Sequence, residues 1–337
     1  MPEDPTGGGP AANGAGNAGD SGEDSSSSAG GDSTGPTEPD LPGDAGSSST
    51  PPESGTPIAV AVGYGLRRVM SSDGMTWTNF QEADANGGDD ENLLRGVGYG
   101  DHQFLAVGNV TLHSTDGATW EERDARFSAR GYLSNAVFFK GFFVAVGGNG
   151  LRVRSVDGGS RWQDDPGHDD IHFRRVAASS EYAVAAGHTY DNVGVLSRTA
   201  DGIEWQELVR EGAMLNRIAH GNGSFVATGS EGRCTWSEDT DRWSPCTVGG
   251  TPIHHLVFVN DQFIASTDGG IFVSTSGEAW TRASEASNQV YGYFMGSYLS
   301  LGWPADVQVS ADLAQWQRVY HPEGSGLVDV AIGYVGE

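Results

Sequence analysis

Ser114-Thr115-Asp116-Gly117-Ala118-Thr119-Trp120 is written seven times along the chain with variations, its tryptophan recurring as Trp77, Trp120, Trp162, Trp205, Trp243, Trp280 and Trp316. These tryptophans stand 43, 42, 43, 38, 37 and 36 residues apart. A period of about forty residues signals a repeat architecture, in which each copy buries its apolar face only against its neighbours.

What lies between the copies fixes the kind of repeat. In the second, an apolar run at 93–98 is followed by Phe104-Leu105-Ala106-Val107-Gly108 and by Thr111-Leu112-His113; the motif comes next, and a fourth run begins at Trp120. The same skeleton pairs 133–139 with 142–147, 173–177 with 182–187, 215–219 with 225–229, 255–259 with 263–266, and 290–294 with 298–302. Short β-branched and aromatic runs cut by Gly-rich turns are strand signals, and no helical period competes with them. Four antiparallel strands per repeat describe a propeller blade. The first repeat has three runs, 58–63, 66–71 and 77–80, and lacks the one that comes first elsewhere. The final stretch, Gly326-Leu327-Val328-Asp329-Val330-Ala331-Ile332, reads as that missing run with nothing after it. Pairing the two ends removes the open sheet edges. The expectation is an all-β, seven-bladed β-propeller closed by its N- and C-terminal strands. An open β-solenoid would not need a lone inner strand at the C-terminus.

Composition divides the chain at residue 57. Residues 1–56 are Gly, Ser, Pro, Asp and Ala almost throughout, with ten acidic residues, no Lys or Arg and no aromatic. Such a stretch cannot bury enough apolar surface to offset its ordering entropy and reads as an acidic, disordered linker. Residues 57–337 carry the repeats. The formal net charge is -26 over 337 residues, which argues against binding nucleic acid through its phosphates. No apolar run is long enough to span a bilayer. The tail is like the spacer after the lipidated cysteine of a bacterial surface lipoprotein, so Met1 is read as standing where an export signal was removed, with a membrane tether possible there. The expected location is extracellular, periplasmic or at the bacterial cell surface, and the expected state a monomer.

The pattern S/T-x-D-G-x-x-W resembles the Asp-box of neuraminidase-type (BNR) repeats, found in sialidases, sortilin-type receptors and photosystem II assembly-factor propellers. Ser71/Asp73/Gly74, Ser114/Asp116/Gly117 and Thr199/Asp201/Gly202 fit it, and the turn opening at Ser155 is one residue longer. Blades five to seven drift: Ser237/Asp239 lacks the glycine, Ser276 replaces the aspartate, and Leu313 follows Asp312. Asp and Ser side chains accept backbone N–H groups within such turns and Gly supplies positive φ, so the motif is a structural device that assigns no activity by itself.

Cys234 and Cys246 are the two cysteines and flank Thr240 symmetrically at one hairpin tip, where the register sets them opposite each other. A disulfide is expected, and with it an oxidising compartment.

Sites in propellers lie in the loops around the channel mouth. Aligning the inner runs on Val97, Val137, Val176, Ile218, Val257, Tyr293 and Val330 places Arg95, Asn135, Arg174, Asn216, His255, Tyr291 and Val328 together, with His172, Arg175, Arg217 and His254 beside them. In so acidic a chain this is a local reversal of charge. Arginine forks bind carboxylate, sulfate or phosphate bidentately; alternatively these arginines pair with acidic loops at 89–91 and 164–170. Two loops break the repeat consensus: one carries His188 and Tyr190, the other Trp303, and both suggest a stacking platform for a sugar ring or a side chain. The resemblance implies the same kind of site, since sialidases clamp a carboxylate with arginines and assembly-factor propellers bind a protein terminus with a basic patch. Phe173-Arg174-Arg175-Val176 resembles the sialidase F-R-I-P motif but lacks its proline.

The leading expectation is an exported, surface-tethered binding module whose ligand residues are Arg95, Arg174, Arg175, Arg217, His188, Tyr190 and Trp303, with an anionic glycan or protein segment as partner. The alternative is a lyase or glycoside hydrolase acting on acidic polysaccharide, with His172, His254, His255 or Tyr291 moving the proton. The acidic residues at 84–91 and 168–170 lack the spacing of a dedicated Ca²⁺ loop. Neither a metal nor a cofactor is expected.

Overall fold

A computed structural model describes residues 55–82, 92–123, 131–165, 170–210, 212–302, 306–321 and 326–336. They form seven four-stranded antiparallel sheets arranged as a propeller. Six blades run inside to outside in chain order. The first takes its inner strand from the C-terminus: Leu327–Val335 pairs with Thr56–Gly63, which is followed outward by Arg68–Ser71 and Thr78–Gln81. The register runs from Thr56 opposite Val335 to Val62 opposite Asp329. The chain is therefore closed by its own ends.

Each gap between neighbouring blades holds one apolar core, and each core holds one repeat tryptophan. Trp77, for example, packs with Phe294, Leu299 and Val330 between the seventh and first blades. The motif positions that ring by making a tight turn. Ser114 Oγ accepts the Gly117 N–H at 2.8 Å, and Asp116 Oδ1 accepts those of Ala118 and Thr119 at 2.8 and 2.6 Å. Trp120 Nε1 then donates to the Gly117 carbonyl at 3.0 Å, locking the indole over the turn. Where the glycine is missing the backbone is unchanged: Thr240 and Leu313 hold φ of 62° and 64°, left-handed values that L side chains adopt at a cost. Blade five instead gains a covalent staple. Cys234 and Cys246 face each other across its hairpin, 4.9 Å apart at Cα, and form a disulfide.

One irregularity positions everything at the channel mouth. All seven inner strands carry a β-bulge near their start, which leaves Arg95, Ser134, Arg174, Asn216, His254, Tyr291 and Val328 without a partner across the ladder. In five blades the neighbouring strand bears a glycine at this point. A Cβ on Gly229 would lie 1.7 Å from the Met214 carbonyl oxygen, so only glycine lets the bulged strand come so close. The next residue along each inner strand is Gly96, Asn135, Arg175, Arg217, His255, Gly292 and Asp329. This corrects the alignment of the inner runs in two blades. Asn135 and His255 belong with Arg175, Arg217 and Asp329, while Ser134 and His254 stand with Arg95 and Arg174.

Candidate functional site

A bulge aims two successive side chains off the regular alternation, and here it stacks two tiers of residues around the channel. The inner tier begins with blade-to-blade hydrogen bonds. Asp329 Oδ2 accepts the Val97 N–H at 3.1 Å, and Asn135 Oδ1 accepts the Val176 N–H at 3.1 Å, so each ties its blade to the next. Arg175, at the same position in blade four, reaches across the channel instead. Its Nη1 lies 3.1 Å from Asp329 Oδ2 in blade one and 3.5 Å from the Arg95 carbonyl in blade two.

Arg217 is the second cation of this tier. Its Nη1 donates to the carbonyl of Asn216 at 3.1 Å, and its buried Nε has no partner among the described residues. Burial, the nearby Arg175 and, more weakly, Arg174 bring its pKa down to about 10, opposed by Tyr291 and Asp329; it is still charged at neutral pH. His255 is buried and stacks on Tyr291 with ring centroids 3.9 Å apart. Burial holds His255 well below the usual histidine range, reinforced by Arg217 and Arg175, so the ring is neutral. Burial also raises the pKa of the Tyr291 phenol, whose O–H donates to Gln289 Oε1 at 3.1 Å. Asp329 is pushed above the ordinary aspartate range by burial, against the pull of Arg175. The inner tier thus sets two guanidinium groups, Arg175 and Arg217, against one carboxylate, Asp329.

The outer tier spreads over blades two to four. The Arg95 guanidinium lies 4.0 Å from the centroid of the Tyr132 ring, a cation–π contact. His172 meets Tyr190 edge-on at 4.7 Å, and the Tyr190 hydroxyl donates to Asn149 Oδ1 at 3.1 Å. Gly148 links the two groups: a Cβ there would come 3.3 Å from Tyr132 and 3.6 Å from His172 Nδ1. Tyr190 is 63% exposed. Burial and then Arg174 lower the His172 pKa; the same influences together with His172 lower that of His188.

The residues expected from the sequence therefore separate into groups. Arg175, Arg217, His255 and Tyr291 converge in the inner tier; Arg95, His172 and Tyr190 share the rim. His188 pairs directly with His172 across the ladder but is buried, so it backs the rim without facing outward. His254 stands apart, its Nε2 held 2.6 Å from Asp268 on the surface. Trp303 lies outside the described residues, as do 84–91 and 168–169. Asp170, the described acid of that second run, pairs with Arg210 at 3.1 Å. Two residues of the site were not anticipated, Asp329 and Tyr132. Tyr132 occupies the place of His172, two residues before the bulge, and that equivalence was available in the sequence. Among the described residues, no three His, Cys, Asp or Glu side chains gather as a metal would require, and no helix is long and apolar enough to cross a membrane.

Fold and mouth together define a closed seven-bladed propeller with a cationic inner tier. No protein-family model and no curated protein matches the chain. Solved propellers do. The structure of YCF48 bound to D1 peptide is 14% identical, covering 84% of this chain and 89% of that one at a TM-score of 0.58. YCF48 from Cyanidioschyzon merolae is 18% identical over 71% of this chain and 94% of that one, with a TM-score of 0.52. The computationally designed protein Ika8 matches at 0.52 and 11% identity, over 82% of this chain and 95% of that one. At such identities the likeness is one of fold.

Proposed function

We propose that this chain is a binding module that takes an anionic segment of a partner protein at the inner mouth of its propeller. The observation that carries this reading is the pair of guanidinium groups, Arg175 and Arg217, gathered around a single carboxylate, Asp329. Semi-buried arginines with unspent N–H donors are where a carboxylate gains most, because charge-assisted bonds strengthen as water is excluded. Arg174 and Arg95 extend the positive surface outward, and Tyr190 is an exposed aromatic side chain on the same rim. A peptide is preferred to a glycan because a propeller of similar fold, YCF48, has been solved with a peptide bound. The motif turns are read as Asp-boxes, and residues 1–56 as a tether. Export to an oxidising compartment is supported by the Cys234–Cys246 disulfide.

Fluorescence anisotropy with labelled acidic peptides, with the same peptides neutralised by amidation, and with oligogalacturonate tests this reading. Acidic peptides are expected to bind, and Arg217→Ala and Arg174→Ala each to weaken them about tenfold or more. Equal binding of the amidated peptides, or indifference to both substitutions, contradicts it. A second reading is favoured by one contact: neutral His255 stacks on Tyr291, whose raised pKa keeps its proton available for donation, beside two cations. That is the inventory of a lyase on acidic polysaccharide. Ultraviolet absorbance from new double bonds in oligogalacturonate, lost in Tyr291→Phe, would favour it.

A further inference from the structure

Asp329 does two things with one oxygen: it accepts the Val97 N–H and it holds Arg175. The first needs no charge. Asn135, at the equivalent place in blade three, makes the same blade-to-blade bond with a neutral amide at the same 3.1 Å. The negative charge of Asp329 is therefore surplus to the fold's requirement at this position. It is also unfavourable there, since burial raises the carboxyl's pKa. What the charge does is engage Arg175 across the channel from blade one to blade four. Without it, the polar contact described for that guanidinium is the Arg95 carbonyl at 3.5 Å.

We propose that Asp329 is a specificity-determining residue, an internal carboxylate that occupies Arg175 and competes with the ligand, leaving Arg217 for an incoming group with one negative charge. This rests on the anion-binding reading above. A ligand carrying two charges at one point must displace Asp329 from Arg175 and leave a buried carboxylate unpaired, which is costly. A single carboxylate meets Arg217 and leaves the internal pair intact. Asp329 thus sets how much negative charge the mouth accepts. It sits on the strand that closes the ring, so the residue tuning the site and the segment closing the fold are the same piece of chain.

The test is isothermal titration of full-length protein with acetate and with inorganic sulfate. Asp329→Asn keeps the acceptor for Val97 and releases Arg175; sulfate should then bind about tenfold tighter or more, with acetate changing less. The double variant Arg175→Gln/Asp329→Asn removes both partners, leaves no unpaired charge, and should return sulfate affinity to the wild-type level. It also keeps the test alive if Asp329→Asn alone fails to fold, because it would then have to restore the fold. Arg217-dependent binding that is identical in wild type and Asp329→Asn overturns the role of Asp329 and leaves the binding reading standing. Binding absent in wild type but present in Asp329→Asn supports Asp329 as a competitor strong enough to close the site, and overturns the reading of the unmodified protein as an anion binder. Absence of binding in both overturns both.

Discussion

Asp73 shows what a turn does to a single carboxylate. The N–H groups of Thr76 and Met75 point at one oxygen, at 2.6 and 2.8 Å, and hold its pKa at about 2. Asp201, Asp239 and Asp312 are lowered chiefly by the same kind of backbone donor; in Asp116 and Asp157 burial opposes the shift and hydrogen bonds prevail. A carboxylate whose folded pKa is depressed stabilises the fold above its unfolded value, and that stability is lost as pH falls toward the folded value. Acid unfolding followed by circular dichroism should therefore steepen between about pH 4 and pH 2, and Asp73→Asn should remove part of that slope. Blade six supplies the converse experiment. There Ser276 stands in the aspartate's place and accepts one N–H, from Glu278, at 3.3 Å. Ser276→Asp should supply a second acceptor contact and raise stability by about 0.5–1 kcal/mol in urea unfolding.

At the scale of the strand, the bulge explains both what was readable and what was not. Apolar periodicity located every inner strand, but a bulge inserts one residue without changing which residues are apolar. Aligning on the valines therefore slipped by one in blades three and six. In blade three the signal existed: Gly147 lies opposite Leu133, just as Gly108 lies opposite Leu94 and Gly229 opposite Leu215, and counting from that glycine gives Ser134 as the bulged residue. In blade six Thr267 fills the position, so nothing in the sequence marks the bulge at His254. The disulfide was legible for the opposite reason, since a regular hairpin sets Cys234 against Cys246 with no bulge between them. If the glycine is needed for the bulge, Gly229→Ala should cost about 2–4 kcal/mol by thermal unfolding. A loss within 0.5 kcal/mol, as at an ordinary surface site, would mean the strand can move aside.

Over the whole molecule, tryptophan spacing and the two unmatched ends were enough to foretell seven blades and their closure, because a ring whose sheets bury their faces against each other leaves few alternatives. The site was less legible. Residues from blades one, four, five, six and seven meet in the inner tier, and no local pattern states that Arg175 crosses to Asp329 or that His254 turns away to Asp268. Such contacts depend on the ring's diameter and the bulge's direction. Functionally, everything depends on a carboxylate reaching Arg217 beside the Arg175–Asp329 pair. The most direct measurement is the NMR titration of arginine Nε–Hε resonances with a peptide ending in a free carboxylate. A shift should appear at Arg217, with Arg175 still held by Asp329, and vanish when the carboxylate is amidated. Shifts confined to surface arginines such as Arg282 and Arg318, or none at all, would contradict the account.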